Sequence, residues 1–203
     1  EHVQTLVKPE RLKNNDRGRR ENWWRFGRNG ADMRVATQHL ARLIITPRVA
    51  KHRLFVWLSQ PVSPDSRLFV IARADDTTFG ILSSRVHELW SLAQASIHGD
   101  GSDGGRPTYN AKSCFETFPF PAGLTPADTA HQRTEALEGG ALIPADLPDT
   151  LLAENFKQNQ PPAPVHQAQA AIKTIAPRPA AMAIAQAAQR LNALRQAWLN
   201  PPE

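Results

Sequence analysis

The sequence predicts an α+β fold in three parts: a mixed-sheet domain over 1–121, a Pro/Ala-rich linker over 122–179 and a helical segment over 180–203. Three observations lead there. Short β-branched and aromatic runs interleave irregularly with three- and four-residue apolar spacings up to Pro121. The next stretch is rich in Pro, Ala and Gln, with Pro161, Pro162 and Pro164 close together, and has few large apolar residues. Ile184, Ala187, Leu191, Leu194 and Trp198 then recur at helical spacing.

Met33, Ala36, Leu40 and Leu43 start an amphipathic helix over 31–43. It gives way to a strand, Leu43-Ile44-Ile45-Thr46, closed by Pro47. Residues 53–58 and 67–72 read as the next two strands, with Pro61, Ser63, Pro64 and Asp65 supplying the turn between them. Phe79-Gly80-Ile81-Leu82 reads as a short fourth strand. Ser83 or Ser84 can then cap a helix burying Val86, Leu89, Trp90, Ala93 and Ile97. Residues 100–105 form a glycine-rich loop, and Phe115 to Pro121 an extended, proline-locked segment. The stripe of the last helix is that of a helix packing on another helix outside this chain, or of a solitary surface helix.

The chain starts at Glu1, with no charged start and apolar run of a signal peptide, and reads as a piece of something longer, in the cytoplasm. No stretch approaches the roughly 18 apolar residues of a membrane span. Cys114 is the sole cysteine, so an internal disulfide and a cysteine-based zinc cluster are excluded. Residues 1–60 hold 13 Lys/Arg against 5 Asp/Glu, whereas the remaining 143 hold 11 against 14. Cations clustered in this way gain most from releasing the counterions of a polyanion such as nucleic acid, and on charge alone a solvated basic face is an equal reading.

Two cation groups stand out. In Arg17-Gly18-Arg19-Arg20 and Trp23-Trp24-Arg25-Phe26, Arg19, Arg20 and Arg25 can pair with phosphates. The tryptophans can stack on bases, although paired tryptophans more often pack in a core. Arg42, Arg48, Lys51, His52 and Arg53 surround two strand ends and the Pro47 turn, where an arginine can read guanine through paired donors. The plainer reading of these cations is an exposed, solubilising loop.

Other motifs carry less. Asp75-Asp76 lacks a histidine or third carboxylate at helical spacing and suits a turn with Thr77 and Thr78. A Mg²⁺ nuclease pattern would need an acidic residue two positions before Lys after Pro64-Asp65, and none of Asp75, Asp76 and Glu88 has one. The seven histidines show no metal-binding pair. Asn200-Pro201-Pro202-Glu203 has Glu where a base-flipping amino-methyltransferase loop has an aromatic, and no x-Gly-x-Gly cofactor loop is present, so it reads as a helix stop.

Several separated motifs, in order, carry a resemblance. They are Val7-Lys8-Pro9-Glu10-Arg11, the Trp23–Phe26 block, Ile45-Thr46-Pro47-Arg48-Val49 with Lys51-His52-Arg53, Phe79-Gly80-Ile81-Leu82-Ser83-Ser84 with His87 and Trp90, and Phe115 to Pro121. Over 7–121 the chain resembles the recognition region of large class I S-adenosylmethionine-dependent adenine-specific DNA methyltransferases, the MmeI-like restriction–modification enzymes and their phage-defence relatives. The last helix, through Ala188-Gln189-Arg190-Leu191 to Trp198-Leu199-Asn200-Pro201-Pro202-Glu203, is similar to the family's C-terminal helical part.

The resemblance implies that 1–121 is a target-recognition domain for double-stranded DNA. It also implies that an N-terminal methyltransferase domain of the same parent chain binds S-adenosylmethionine and transfers its methyl group to adenine N6. This chain would contribute Arg42, Arg48, Lys51, Arg53, Arg19, Arg20 and Arg25 to the DNA, and itself hold no catalytic residue, cofactor or metal. A stand-alone nucleic-acid-binding or adaptor protein is the alternative.

Overall fold

The computed structural model describes residues 1–25, 30–99, 104–150 and 175–201. The chain is mixed α/β and divides into two compact units, Glu1–His39 and Leu40–Glu203. The boundary read after Pro121 therefore falls inside the second unit.

In the first unit, helices α1 (Lys8–Leu12), α2 (Arg17–Glu21) and α3 (Ala31–Thr37) are short. A π-helical turn, Val3–Val7, leads into α1. Asp16 caps α2 by accepting from the Arg19 N–H at 3.0 Å. Trp23 and Trp24 meet edge to face with centroids 5.8 Å apart, and the Lys8 ammonium lies 5.2 Å from the Trp23 ring. Phe26 lies outside the described residues. Helix α3 ends six residues short of the expected limit, because the next apolar residues are drawn into a strand.

That strand, β1 (Arg42–Pro47), is the centre of an antiparallel sheet in the second unit, between β2 (Val56–Ser59) and β3 (Leu68–Ile71). Ile44 lies opposite Trp57 on one side and Ile71 on the other. Its run Leu43-Ile44-Ile45-Thr46 is buried throughout, which explains why it lacks polar alternation.

The segment read as a fourth strand is a helix instead, α4 (Asp76–Ser83). A four-residue apolar run cannot by itself distinguish the two. The decision comes from Asp75, whose carboxylate accepts from Thr78 N–H at 2.6 Å and Thr78 O–H at 3.0 Å. The tandem aspartates thus open a helix, with Asp75 as its cap.

Ser84 caps α5 (Arg85–Gln94), as its position suggested, by accepting from His87 N–H at 3.2 Å. The buried face is not the one expected. His87 and Ser91 point inward and Trp90 is half-buried, whereas Val86, Leu89, Ala93 and the downstream Ile97 are exposed.

Beyond α5, β4 (Ser96–His98) and β5 (Arg106–Thr108) form a two-stranded ribbon. A second π-helical turn, Ala111–Phe115, follows, and Phe118 is buried in the segment after it. The Pro/Ala-rich stretch contributes to the core over its described residues. A hairpin of β6 (Thr134–Ala136) and β7 (Leu142–Pro144) forms there, and Leu124, Ala141, Ile143 and Leu147 are buried. Pro161, Pro162 and Pro164 lie outside the described residues.

The last helix, α6 (Pro177–Leu199), starts three residues earlier than expected and ends where Asn200 closes it through Gln196 O. It packs within this unit, not outside it. Its buried stripe is Ala181, Ala185 and Ala188, small residues that admit α4 closely, while Leu194 and Trp198 are exposed. One apolar cluster joins Ile44, Phe55, Ile71, Phe79, Leu82, Tyr109, Cys114 and Ala188. The other joins Ile81, Phe118, Leu124, Ala141, Ile143, Leu147, Ala181 and Ala185. Helix α4 supplies side chains to both.

Candidate nucleic-acid interface

The cations singled out by sequence separate into two kinds. Arg42 and Arg53 are built into the second unit. The Arg42 guanidinium reaches the Asp76 carboxylate at 2.9 Å, donates from Nε to the Ala74 carbonyl at 2.9 Å and covers Trp57 at 3.7 Å from the ring centroid. Asp76 in turn accepts from Leu142 N–H at 2.8 Å. The group is thereby committed to joining β1, α4 and β7.

Arg53 is only 8 % exposed. Its guanidinium donates to Thr46 Oγ1 at 2.9 Å, to the Pro47 carbonyl and to the Pro107 carbonyl at 3.4 Å, and lies 5.0 Å from the Tyr109 ring. Burial lowers its pKa from the ordinary arginine value, partly offset by Tyr109 and Cys114. The carbonyl partners keep the buried cation hydrogen-bonded. Neither Arg42 nor Arg53 presents a free fork to a DNA groove.

Arg48 and Lys51 are exposed and make no ion pair among the described residues. Backbone bonds over 48–50 fix where Arg48 stands and lead up to Lys51. Arg48 N–H donates to Arg67 O at 2.8 Å, and Arg48 O accepts from Tyr109 N–H at 2.7 Å. Val49 bridges Thr108, and Ala50 N–H donates to Pro107 O at 3.3 Å. The fold therefore gathers Arg67 and Arg106, two further exposed cations, around the end of β1. Sequence spacing hid them, since Arg106 is 58 positions from Arg48 along the chain. The nearby Asp65 uses one carboxylate oxygen to accept from Arg67 N–H at 2.8 Å.

The first unit holds the other three candidates. Arg19 and Arg25 are exposed, and Arg20 is half-buried with Nη1 donating to Asn14 O at 2.7 Å and Asn15 O at 2.9 Å. Arg20 is thus a lock on its own loop, and among the described residues Arg19 and Arg25 are the cations of that pair of motifs without an ion pair or side-chain hydrogen bond.

Beside the basic edge lies a buried polar network. His87 Nδ1 is 3.0 Å from the Leu82 carbonyl and Nε2 is 3.2 Å from the Tyr109 hydroxyl, which assigns Nδ1–H as donor and Nε2 as acceptor. Phe55 and Phe118 rings flank the imidazole. Burial drives the His87 pKa down to about 4 and pushes that of Tyr109 up. A neutral imidazole enclosed in this way is a structural joint of α4, α5 and the segment after β5. No group of three or more His, Cys, Asp or Glu is assembled as a metal site among the described residues.

Comparison of the chain with known protein families, curated proteins and solved structures finds no match. Among the described residues no helix is long and apolar enough to cross a membrane.

Proposed function

We propose that this chain recognises double-stranded DNA on behalf of a site-specific adenine-N6 DNA methyltransferase of a restriction–modification or phage-defence system. The observation that carries the DNA part is the basic edge formed by Arg48, Lys51, Arg67 and Arg106, exposed cations without carboxylate partners among the described residues. Cations left unpaired on rigid strand ends are free to replace the counterions of a phosphate backbone. The methyltransferase part rests on the sequence resemblance. In this reading S-adenosylmethionine and the flipped adenine are held by a separate catalytic domain of the same parent protein, and this chain contributes recognition alone.

Two measurements test the two parts. Binding of the chain to mixed-sequence duplex should fall steeply with salt, and Arg48→Ala or Lys51→Ala should each reduce the slope by about one. Salt-independent binding, or none, removes the DNA reading. Mapping N6-methyladenine in the host genome with and without the gene should show one sequence motif losing its mark. An unchanged map leaves the stand-alone nucleic-acid-binding protein.

A further inference from the structure

We infer that the β4–β5 ribbon is the element that enters the major groove, with Arg106 and His98 reading base edges while Arg48, Lys51 and Arg67 hold the flanking phosphates. This rests on the DNA reading above and specifies how that edge would work.

The register supplies the first reason. Ser96 pairs with Thr108, Ile97 with Pro107 and His98 with Arg106. Because side chains alternate across a strand, Ser96, His98, Arg106 and Thr108 share one face and Ile97 and Pro107 share the other. Every side chain on the first face can donate or accept a hydrogen bond. Three of those four residues are exposed and Thr108 is half-buried.

Size and attachment supply the second. A two-stranded ribbon is one of the few elements that fits a major groove about 12 Å wide. The ribbon has a firm base. Asn110 Nδ2 donates to Ser96 Oγ at 3.0 Å, the 48–50 backbone bonds to 107–109, and Arg53 ties Pro47 to Pro107. Gly105, at φ +76°, lets the chain turn close against it, since a Cβ there would lie 2.6 Å from Gly99 O and strike Ile97. Electrostatics supply the third. Arg106 and the neighbouring Arg48 and Lys51 favour a polyanion.

The experiment uses the full chain and a pool of duplexes with a randomised centre. Wild type is taken through selection, and binding to the enriched duplex and to a scrambled one is measured for wild type, Arg106→Ala and His98→Ala. Both substituted positions are exposed, and equal melting temperatures confirm an unchanged fold. The expected result is that wild type prefers the enriched duplex, and that Arg106→Ala reduces this preference about tenfold while binding the scrambled duplex nearly as well. If both variants retain the full preference, or if Arg106→Ala weakens both duplexes alike, the ribbon does not read bases and the DNA reading stands. Enrichment of no sequence has the same meaning. Failure of wild type to bind any duplex overturns both.

Discussion

Gly80 of α4 lies so close to Ile184 of α6 that a Cβ at position 80 would be 2.6 Å from Ile184 Cγ2 and 3.0 Å from the Ile184 carbonyl oxygen. Ala188 Cβ would also stand 3.0 Å away. Ordinary helix preference favours Gly→Ala by about 1 kcal/mol. Here the added methyl meets backbone as well as side chain, and overpacking of this kind costs roughly 1–3 kcal/mol. Gly80→Ala should therefore lower stability by about 1 kcal/mol net and Gly80→Val by more, read from urea midpoints. A midpoint at or above wild type for Gly80→Ala would show that the two helices separate freely.

Arg42 and Arg53 should behave as structural residues despite standing in the basic region. Arg42→Ala leaves Asp76 buried with the Leu142 N–H as its remaining partner. Arg53→Ala leaves the Thr46 hydroxyl and the Pro47 carbonyl without their donor. Each should cost roughly 2–4 kcal/mol, as breaking a buried charged contact does. Arg48→Ala and Lys51→Ala, being exposed, should stay within about 0.5 kcal/mol of wild type. Thermal melts of the four variants decide it, and equal stability across the set would contradict the division.

Acid should weaken the fold through His87. Its pKa is about 4 in the folded chain, below the ordinary 6.5, so the unfolded chain binds more protons between those values. Stability is then fully present above about 6.5 and is lost as pH falls through the window, by about 3 kcal/mol in total. Asp75 works in the opposite sense, because burial raises its pKa despite the Thr78 hydrogen bonds. Urea denaturation of wild type and His87→Phe at pH 7 and pH 4.5 isolates the histidine. The variant should show the smaller loss on acidification, and equal losses would mean that His87 protonates freely in the fold.

Trp90→Ala should cost about 2–4 kcal/mol. The ring is half-buried, packs on the second apolar cluster and meets Phe118 at 6.2 Å. Leu89→Ala, on the exposed face of the same helix, should cost under about 1 kcal/mol. Reversal of that order in thermal melts would restore the helix face that apolar spacing alone suggests.

Residues whose signals are local were legible in sequence. The β1 run, the turn before β3 and the Ser84 cap each depend on neighbours within four positions. Phe79 to Leu82 reads equally as strand or helix until the Asp75 cap is weighed. What sequence could not show depends on partners far along the chain. The large apolar residues of α6 draw attention partly to the wrong face: Ile184 does meet Gly80 of α4, but Leu194 and Trp198 are exposed, and the buried positions are Ala181, Ala185 and Ala188, whose value lies in being small. Arg42 and Arg53 resemble exposed loop cations until Asp76, Trp57, Pro107 and Tyr109 are brought around them. Arg67 and Arg106 become neighbours of Arg48 only through strand pairing.

The pairing of α4 with α6 also constrains the order in which this chain can be finished. The face formed by Thr77, Gly80 and Ile81 finds its cover about 100 residues later, where Thr77 O–H donates to Ala181 O at 3.1 Å. During synthesis at roughly 5–20 residues per second, α4 waits several seconds with that face open to water. The sheet, with the buried Arg53 and the half-buried Arg42, is translated early, yet this face of α4 is covered only when α6 arrives. A ribosome-stalled chain ending before Pro177 should be cleaved readily by protease where one ending after Leu199, with its exit-tunnel linker, resists.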